Sequence, residues 1–168
     1  MIDPVQFKLG MRRLAAGVSV ITTIEEGAPH GFAATAVTSV AAEPTPTLLI
    51  CVNKSVSCHD AIGRSGLFCV NLLAESDAGI AQLFSASQHR HRRFSECAWT
   101  PLATGAPALS AAIASFDCAV IEAVEVHSHT VFIATVVDIA LREDGAFPLL
   151  YAEGRFDALR SAAPAVCS

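Results

Sequence analysis

The chain has 168 residues, a length that fits one domain and lets it bury roughly 70% of its unfolded surface without a disulfide or metal staple. Hydrophobic residues make up 52% and charged residues 16%; the apolar runs are far shorter than the roughly 18–20 residues of a membrane span, so the surplus apolar surface points to a homo-oligomer. A net charge of −5 argues against a nucleic-acid binder, which needs a basic face, and the short run from His89 to Arg93 does not reverse that.

Asp3-Pro4 reads as a helix start, since Asp can cap and Pro fits the first helical position. Phe7, Met11 and Leu14 then recur at helical spacing, and Gly17 closes the element. Residues 1–10 carry neither an apolar h-region nor a small-residue cleavage site, so a cytoplasmic protein is expected. The six cysteines include no C-x-x-C pair and are expected as reduced thiols, several acting as small hydrophobes.

Residues 18–24 and 31–40 are rich in Val, Ile and Thr and read as two strands around a turn at Glu26-Gly27, with Pro44 and Pro46 closing the second. The short apolar runs 47–52 and 67–73 read as buried strands. Between them, 55–64 reads as a short helix opened by Ser55 or Ser57. Ser76 or Asp77 opens another helix with Ile80, Leu83 and Phe84 on one face. Residues 88–110 are Arg-rich and then punctuated by Pro and Gly, and read as a long surface loop. Two long strands at 116–126 and 130–141 follow, and a last one at 148–151. This order is not a βαβ alternation, so the expected fold is mainly β, a largely antiparallel barrel with peripheral helices, in one domain.

Several signatures are missing: no G-x-S-x-G elbow, no P-loop and no G-x-G-x-x-G occurs. Three local features remain. His127 and His129 lie two apart in an expected strand, which would put both imidazoles on one face, and His89 and His91 form a second pair; site-edge histidines are the commoner reading, and a metal site the rarer one. At 53–60 (NKSVSCHD) two hydroxyls and a lysine stand where a strand hands over to a helix, a place suited to a phosphate, or simply to an N-cap. At 33–39 (AATAVTS) small and hydroxylated residues leave room for a flat ligand against the backbone, or form an ordinary strand.

Taken together these segments resemble the flavin reductase-like FMN-binding domain, the small reductase component of two-component flavin monooxygenases. The resemblance spans about residues 5–157, leaving a tail at 158–168. It is carried by 7–22 (FKLGMRRLAAGVSVIT), 31–40 followed by Glu43-Pro44, 53–59, FCVNLL at 68–73, Arg93-Phe94, GAPAL at 105–109, HTVFIA at 129–134, PLLY at 148–151 and GRF at 154–156. It implies an antiparallel, Greek-key split β-barrel that forms a homodimer, with FMN near the interface. It assigns Thr35, Ala36, Val37, Thr38 and Ser39 to the flavin ring and ribityl chain. Ser55 and Ser57 are assigned to the phosphate, with Asn53 and Lys54 as weaker members, and Arg93 and Phe94 to the open face of the flavin. Where the family often carries Gly-Asp-His and a later Gly, this chain has Ser128 before His129 and Ala134 in place of the Gly. His129 is therefore the implied positioning group beside the flavin, and the choice between NADH and NADPH stays open.

The implied activity is NAD(P)H-dependent reduction of FMN or FAD for a partner oxygenase. The two cofactors own the hydride chemistry, so no nucleophile or strong base need be found. Three other readings compete: a reductase of a dedicated acceptor such as a cobalt corrinoid, a non-catalytic FMN-binding carrier or sensor, and a metal-binding barrel built on the histidine pairs.

Overall fold

The computed structural model describes residues 2–159; residues 160–168, most of the expected tail, lie outside the described residues. The chain opens with helix α1 (Pro4–Met11), whose N-cap Asp3 carboxylate accepts the Val5 amide at 2.9 Å. Strands β1 (Ala16–Gly17), β2 (Ser19–Glu25), β3 (Ala28–Ala34), β4 (Val37–Ala41) and β5 (Thr47–Asn53) follow. Helix α2 (Cys58–Ser65), β6 (Leu67–Leu72), α3 (Ala78–Ser85) and α4 (Arg93–Glu96) come next, then the short β7 (Trp99–Pro101) and β8 (Pro107–Leu109). The chain ends in β9 (Ala114–Val126), β10 (His129–Leu141), β11 (Leu149–Ala152) and β12 (Arg155–Ala158).

Seven strands form one antiparallel sheet in the order β3-β2-β6-β9-β10-β5-β4. Its two edge strands, β3 and β4, are consecutive in the chain and joined only by Thr35 and Ala36. Three Cα steps of about 3.8 Å cannot separate them widely. The sheet therefore curls until its edges approach at that link, which is the split barrel expected from the sequence. Strand alternation fills the interior: Leu48, Ile50 and Val52 of β5 face Ala134, Phe132 and Thr130 of β10 across the ladder, and all six are buried. On α2, Cys58, Ala61 and Ile62 recur at helical spacing and are buried, and the first and last of these close the barrel core. A second core, under α3, gathers Val18, Val20, Leu73, Ala81, Phe84 and Leu109.

Four expectations change. Helix α1 stops at Met11 rather than near Gly17, because residues 13 and 14 tighten into three-residue turn bonds and Ala16–Gly17 pair with β11. The stretch 31–40 is two strands, since Ala33 and Ala34 pair with β2 whereas Val37 pairs with Ile50 of β5. The expected loop at 88–110 contains α4 and the β7–β8 hairpin. Asn71 and Asp117 hold that region: Asn71 Oδ1 accepts the Leu109 amide at 2.8 Å, and Asp117 accepts the Thr104 amide at 2.7 Å. Finally, β9 and β10 meet in a two-residue turn at His127-Ser128, where His127 takes φ 50°, so His127 and His129 do not share a strand face.

Candidate functional site

The groove along the barrel edge consists of three adjoining cavities. Val37 and Thr38 on β4, and the Thr35–Ala36 link, line the first, of about 530 Å3, opposite Phe7, Met11 and Leu14 of the N-terminal segment. Thr35 and Tyr151 also line the second, of about 170 Å3. That cavity shares Ala33 and Ser85 with a third, of about 260 Å3, lined by Ser55, Ser57, Arg90 and Arg93. The groove thus joins the strand break at 35–36 to the turn between β5 and α2. A larger cavity of about 570 Å3 near Asp77, His89 and Arg92 contains none of the expected site residues.

The β5–α2 turn is built by Asn53, whose Oδ1 accepts both the Ser55 amide and the Ser55 hydroxyl at 2.9 Å. Asn53 is a scaffold for the turn in this arrangement. Ser57 is the N-cap of α2, yet its side chain makes no capping bond, so its hydroxyl stays available to the cavity. His59 braces the start of α2: Nε2 lies 2.8 Å from the Thr130 hydroxyl of β10, and Nδ1 lies 2.8 Å from Asp60. That contact and the neighbouring Arg64 hold the Asp60 carboxyl below the usual carboxylate range, with the His59 hydrogen bond the larger cause. Lys54 turns outward to Glu125 at 2.8 Å, and its ammonium lowers the Glu125 pKa.

Two arginines divide the opposite wall. Arg93 is only 4% exposed, and its guanidinium donates to the carbonyls of Gly31, Leu83 and Ala86 while lying 5.6 Å from the Phe84 ring centroid. Burial, with the Arg90 charge second, pulls its pKa down from the ordinary arginine value. Arg93 therefore edges the cavity it shares with Ser55 and Ser57 as a cation whose hydrogen bonds are committed to backbone carbonyls. Phe94 is turned into the second core, edge-on to Phe84 at 5.5 Å and to Trp99 at 6.2 Å. Arg90 is exposed and lines the same cavity as Ser55 and Ser57. The sequence showed it only as part of a short basic run, because nothing local tells an inward arginine from an outward one.

Of the remaining expected residues, Thr35, Ala36, Val37 and Thr38 line the groove. Ser39 does not: it lies on the face of β4 opposite Thr38, in an apolar cavity with Val136 and Ile139 that Val37 also borders. His129 begins β10 directly across from Asn53, with Nδ1 2.9 Å from the Ser128 hydroxyl, so it stands at the same end of the sheet as the β5–α2 turn but outside the three cavities. Among the described residues no group of three or more His, Cys, Asp or Glu side chains could hold a metal ion. All five described cysteines are free, and burial pushes Cys58 and Cys118 up to about 12. Those two are poor nucleophiles. No described helix is long and apolar enough to cross a membrane.

An FMN-sized ligand suits this arrangement: small residues at one end, the free Ser57 hydroxyl and an exposed arginine at the other, and no charged pair blocking the groove between them.

Comparison with known proteins agrees. The model of the flavin reductase like domain matches residues 11–160. The chain is 39% identical over 164 residues to FMN reductase (NADH) RutF of Pseudomonas syringae pv. syringae strain B728a, covering 98% of this chain and 91% of that protein. Among solved structures, nitrilotriacetate monooxygenase component B from Mycobacterium thermoresistibile is 28% identical with a TM-score of 0.88, covering 96% of this chain and 90% of that one. The NADH:FAD oxidoreductase SgcE6 of Streptomyces globisporus C-1027, in complex with NAD and FAD fragments, is 29% identical with a TM-score of 0.85. It covers 99% of this chain and 98% of that one.

Proposed function

The chain belongs to the flavin reductase-like domain family, and on that premise we propose that it is an NADH-dependent FMN reductase supplying reduced flavin to a partner oxygenase. The observation that carries this reading is the single groove from Thr35 and Ala36 to Ser55, Ser57 and Arg90. The flavin, when bound, would supply the redox chemistry as the acceptor of the donor's hydride, and the reduced flavin would be what the partner receives.

The protein's own residues bind and orient. The small side chains at 35 and 36 let the flavin ring approach the strand break, and Thr38 offers a hydroxyl to its polar edge. Ser57 donates its free hydroxyl to the phosphate, joined by Ser55 once its hydroxyl turns from Asn53, and Arg90 neutralises the phosphate from the facing wall; this adds Arg90 to the residues expected from the sequence. Asn53 and His59 fix the turn that presents those hydroxyls. His129 acts as a positioning group at the rim, within reach of the nicotinamide side. Lys54, paired with Glu125, serves the turn rather than the ligand.

A homodimer in the cytoplasm completes the reading. Its support is the apolar surface left exposed on one copy: Phe7 and Leu14 near the groove, and Ile121, Val137, Ile139 and Leu141 on the long β9–β10 hairpin. A second copy covering these side chains would also shield the groove from water.

The test is NADH oxidation by the purified protein with FMN, FAD or riboflavin added, and NADPH as the comparison donor. Turnover that saturates with free flavin and prefers FMN is the expected result. Yellow protein without turnover would turn the reading to a carrier or a dedicated acceptor, and protein that takes up no flavin would end it. In the same assay His129→Ala lowers the rate while leaving the melting temperature in place; an unchanged rate removes His129 from the mechanism.

A further inference from the structure

The ring end of the groove carries charge that an oxidised flavin does not call for. Lys8 on α1 and Arg12 at its C-cap are four residues apart and share one face; both line the 530 Å3 cavity opposite Thr35 and Thr38, and no acidic side chain lines it. Like charges at this spacing work against a helix, and neither cation has an ion-pair partner among the described residues to offset that. Cations near a helix C-terminus favour its dipole, but that preference does not require them to face a cavity. Arg12 is held in place, since its carbonyl accepts the Glu153 amide at 2.7 Å. The other cations lining the groove are taken: Arg90 stands at the phosphate end, and Arg93 is committed to backbone carbonyls.

An oxidised isoalloxazine ring is uncharged. A hydride moving from nicotinamide C4 to flavin N5 breaks one C–H bond, forms one N–H bond and carries two electrons with one proton. The donor leaves as a cation, and the ring keeps a negative charge shared between N1 and the C2 carbonyl oxygen. Once the oxidised donor has gone, that charge lacks a partner. We infer that Lys8 and Arg12 are its partners, and that they make the protein hold the anionic reduced flavin more tightly than the oxidised one. The inference rests on reading the groove as the flavin site and deepens it. Thr35 and Thr38 meet the ring in either redox state, whereas the two cations act on charge that only reduction creates.

The test measures dissociation constants of oxidised and of chemically reduced flavin, without oxygen, for the natural chain and for Lys8→Gln/Arg12→Gln. The natural chain is expected to bind reduced FMN about tenfold more tightly than oxidised FMN, which raises the two-electron potential of the bound flavin by about 30 mV. Added salt is expected to shrink that preference. The double variant is expected to lose most of it while its affinity for oxidised FMN stays within about twofold, and Lys8→Arg/Arg12→Lys, which keeps the charge, is expected to retain it. Riboflavin is expected to behave like FMN, because the charge in question lies on the ring. No preference in the natural chain, an unaltered preference in the Gln variant, or equal weakening of both redox forms overturns the inference. So does a preference present with FMN and absent with riboflavin, which would put the cations on the phosphate. Failure of the flavin reductase reading itself would show separately, as a natural chain that binds no flavin in either redox form.

Discussion

At the β5–α2 turn the groove is lined by polar side chains, the Ser57 hydroxyl among them without a capping bond, whereas at the β3–β4 link it is lined by Thr35 and Ala36 on a backbone changing strand partner. The turn is over-determined: Asn53 closes it, and His59 pins the following helix to β10. The link is held by a backbone bond, the Cys51 amide donating to the Ala36 carbonyl at 3.1 Å, and its exposed side chains are small. One end of the groove therefore selects by hydrogen bonds and charge, the other by leaving space. Substitutions should separate the two ends accordingly.

The largest effect is expected from filling the space. Ala36→Trp places an indole in the groove at an exposed position, so the fold should survive. Flavin affinity should fall on the order of 100-fold for FMN and riboflavin alike. A variant that still binds both flavins would show that the ring lies elsewhere. Next comes the wall behind the polar end. Arg93→Ala leaves three carbonyls without their donor and should cost about 2–4 kcal/mol, lowering the melting temperature by about 5–15 °C. If this variant melts like the natural protein but loses flavin, Arg93 is a ligand group after all.

Smaller is the effect at the polar end. Ser55→Ala/Ser57→Ala should weaken FMN by about 10- to 100-fold and leave riboflavin, which has no phosphate, nearly unchanged. Equal weakening of both ligands would erase the distinction between the two ends. The smallest effect concerns pH. Arg64 beside Glu25, Lys54 beside Glu125 and His59 beside Asp60 hold those carboxyls below their ordinary values, each chiefly through a hydrogen bond. A lowered folded-state pKa gives stability that is fully present above the unfolded value and is lost as pH falls through the folded one. Each pair has one well-exposed member, so melting temperature should stay flat across neutral pH and decline modestly below about pH 4. A decline beginning near neutrality would implicate the histidines instead.

The barrel was legible because its strands carry period-2 burial and β-branched residues, as in β5, and because the order of the segments matched a known family. What escaped was partner choice. A run such as 31–40 keeps its alternation while passing from β2 to β5, so nothing in the letters marks the break at Thr35 that creates the groove. The same alternation put Ser39 beside Thr38 in sequence but on the far face of β4. Arg93 and Phe94 looked like polar-loop residues because their burial depends on α3 and on Gly31, where an added Cβ would meet the Ile21 carbonyl and the Phe84 ring at 3.0 Å. His59 was read only as part of a motif, since its partner Thr130 lies 71 residues away. Helix α1 had a correct start, supplied by local capping, and an early stop imposed by tertiary pairing with β11.

The central claim is that one flavin spans both ends of the groove, and amide hydrogen exchange with and without ligand tests it in one map. With FMN bound, protection should rise in two segments together, 33–38 and 53–59; with riboflavin it should rise in the first and little in the second. Protection elsewhere on the barrel, or in the second segment with riboflavin alone, would contradict the account.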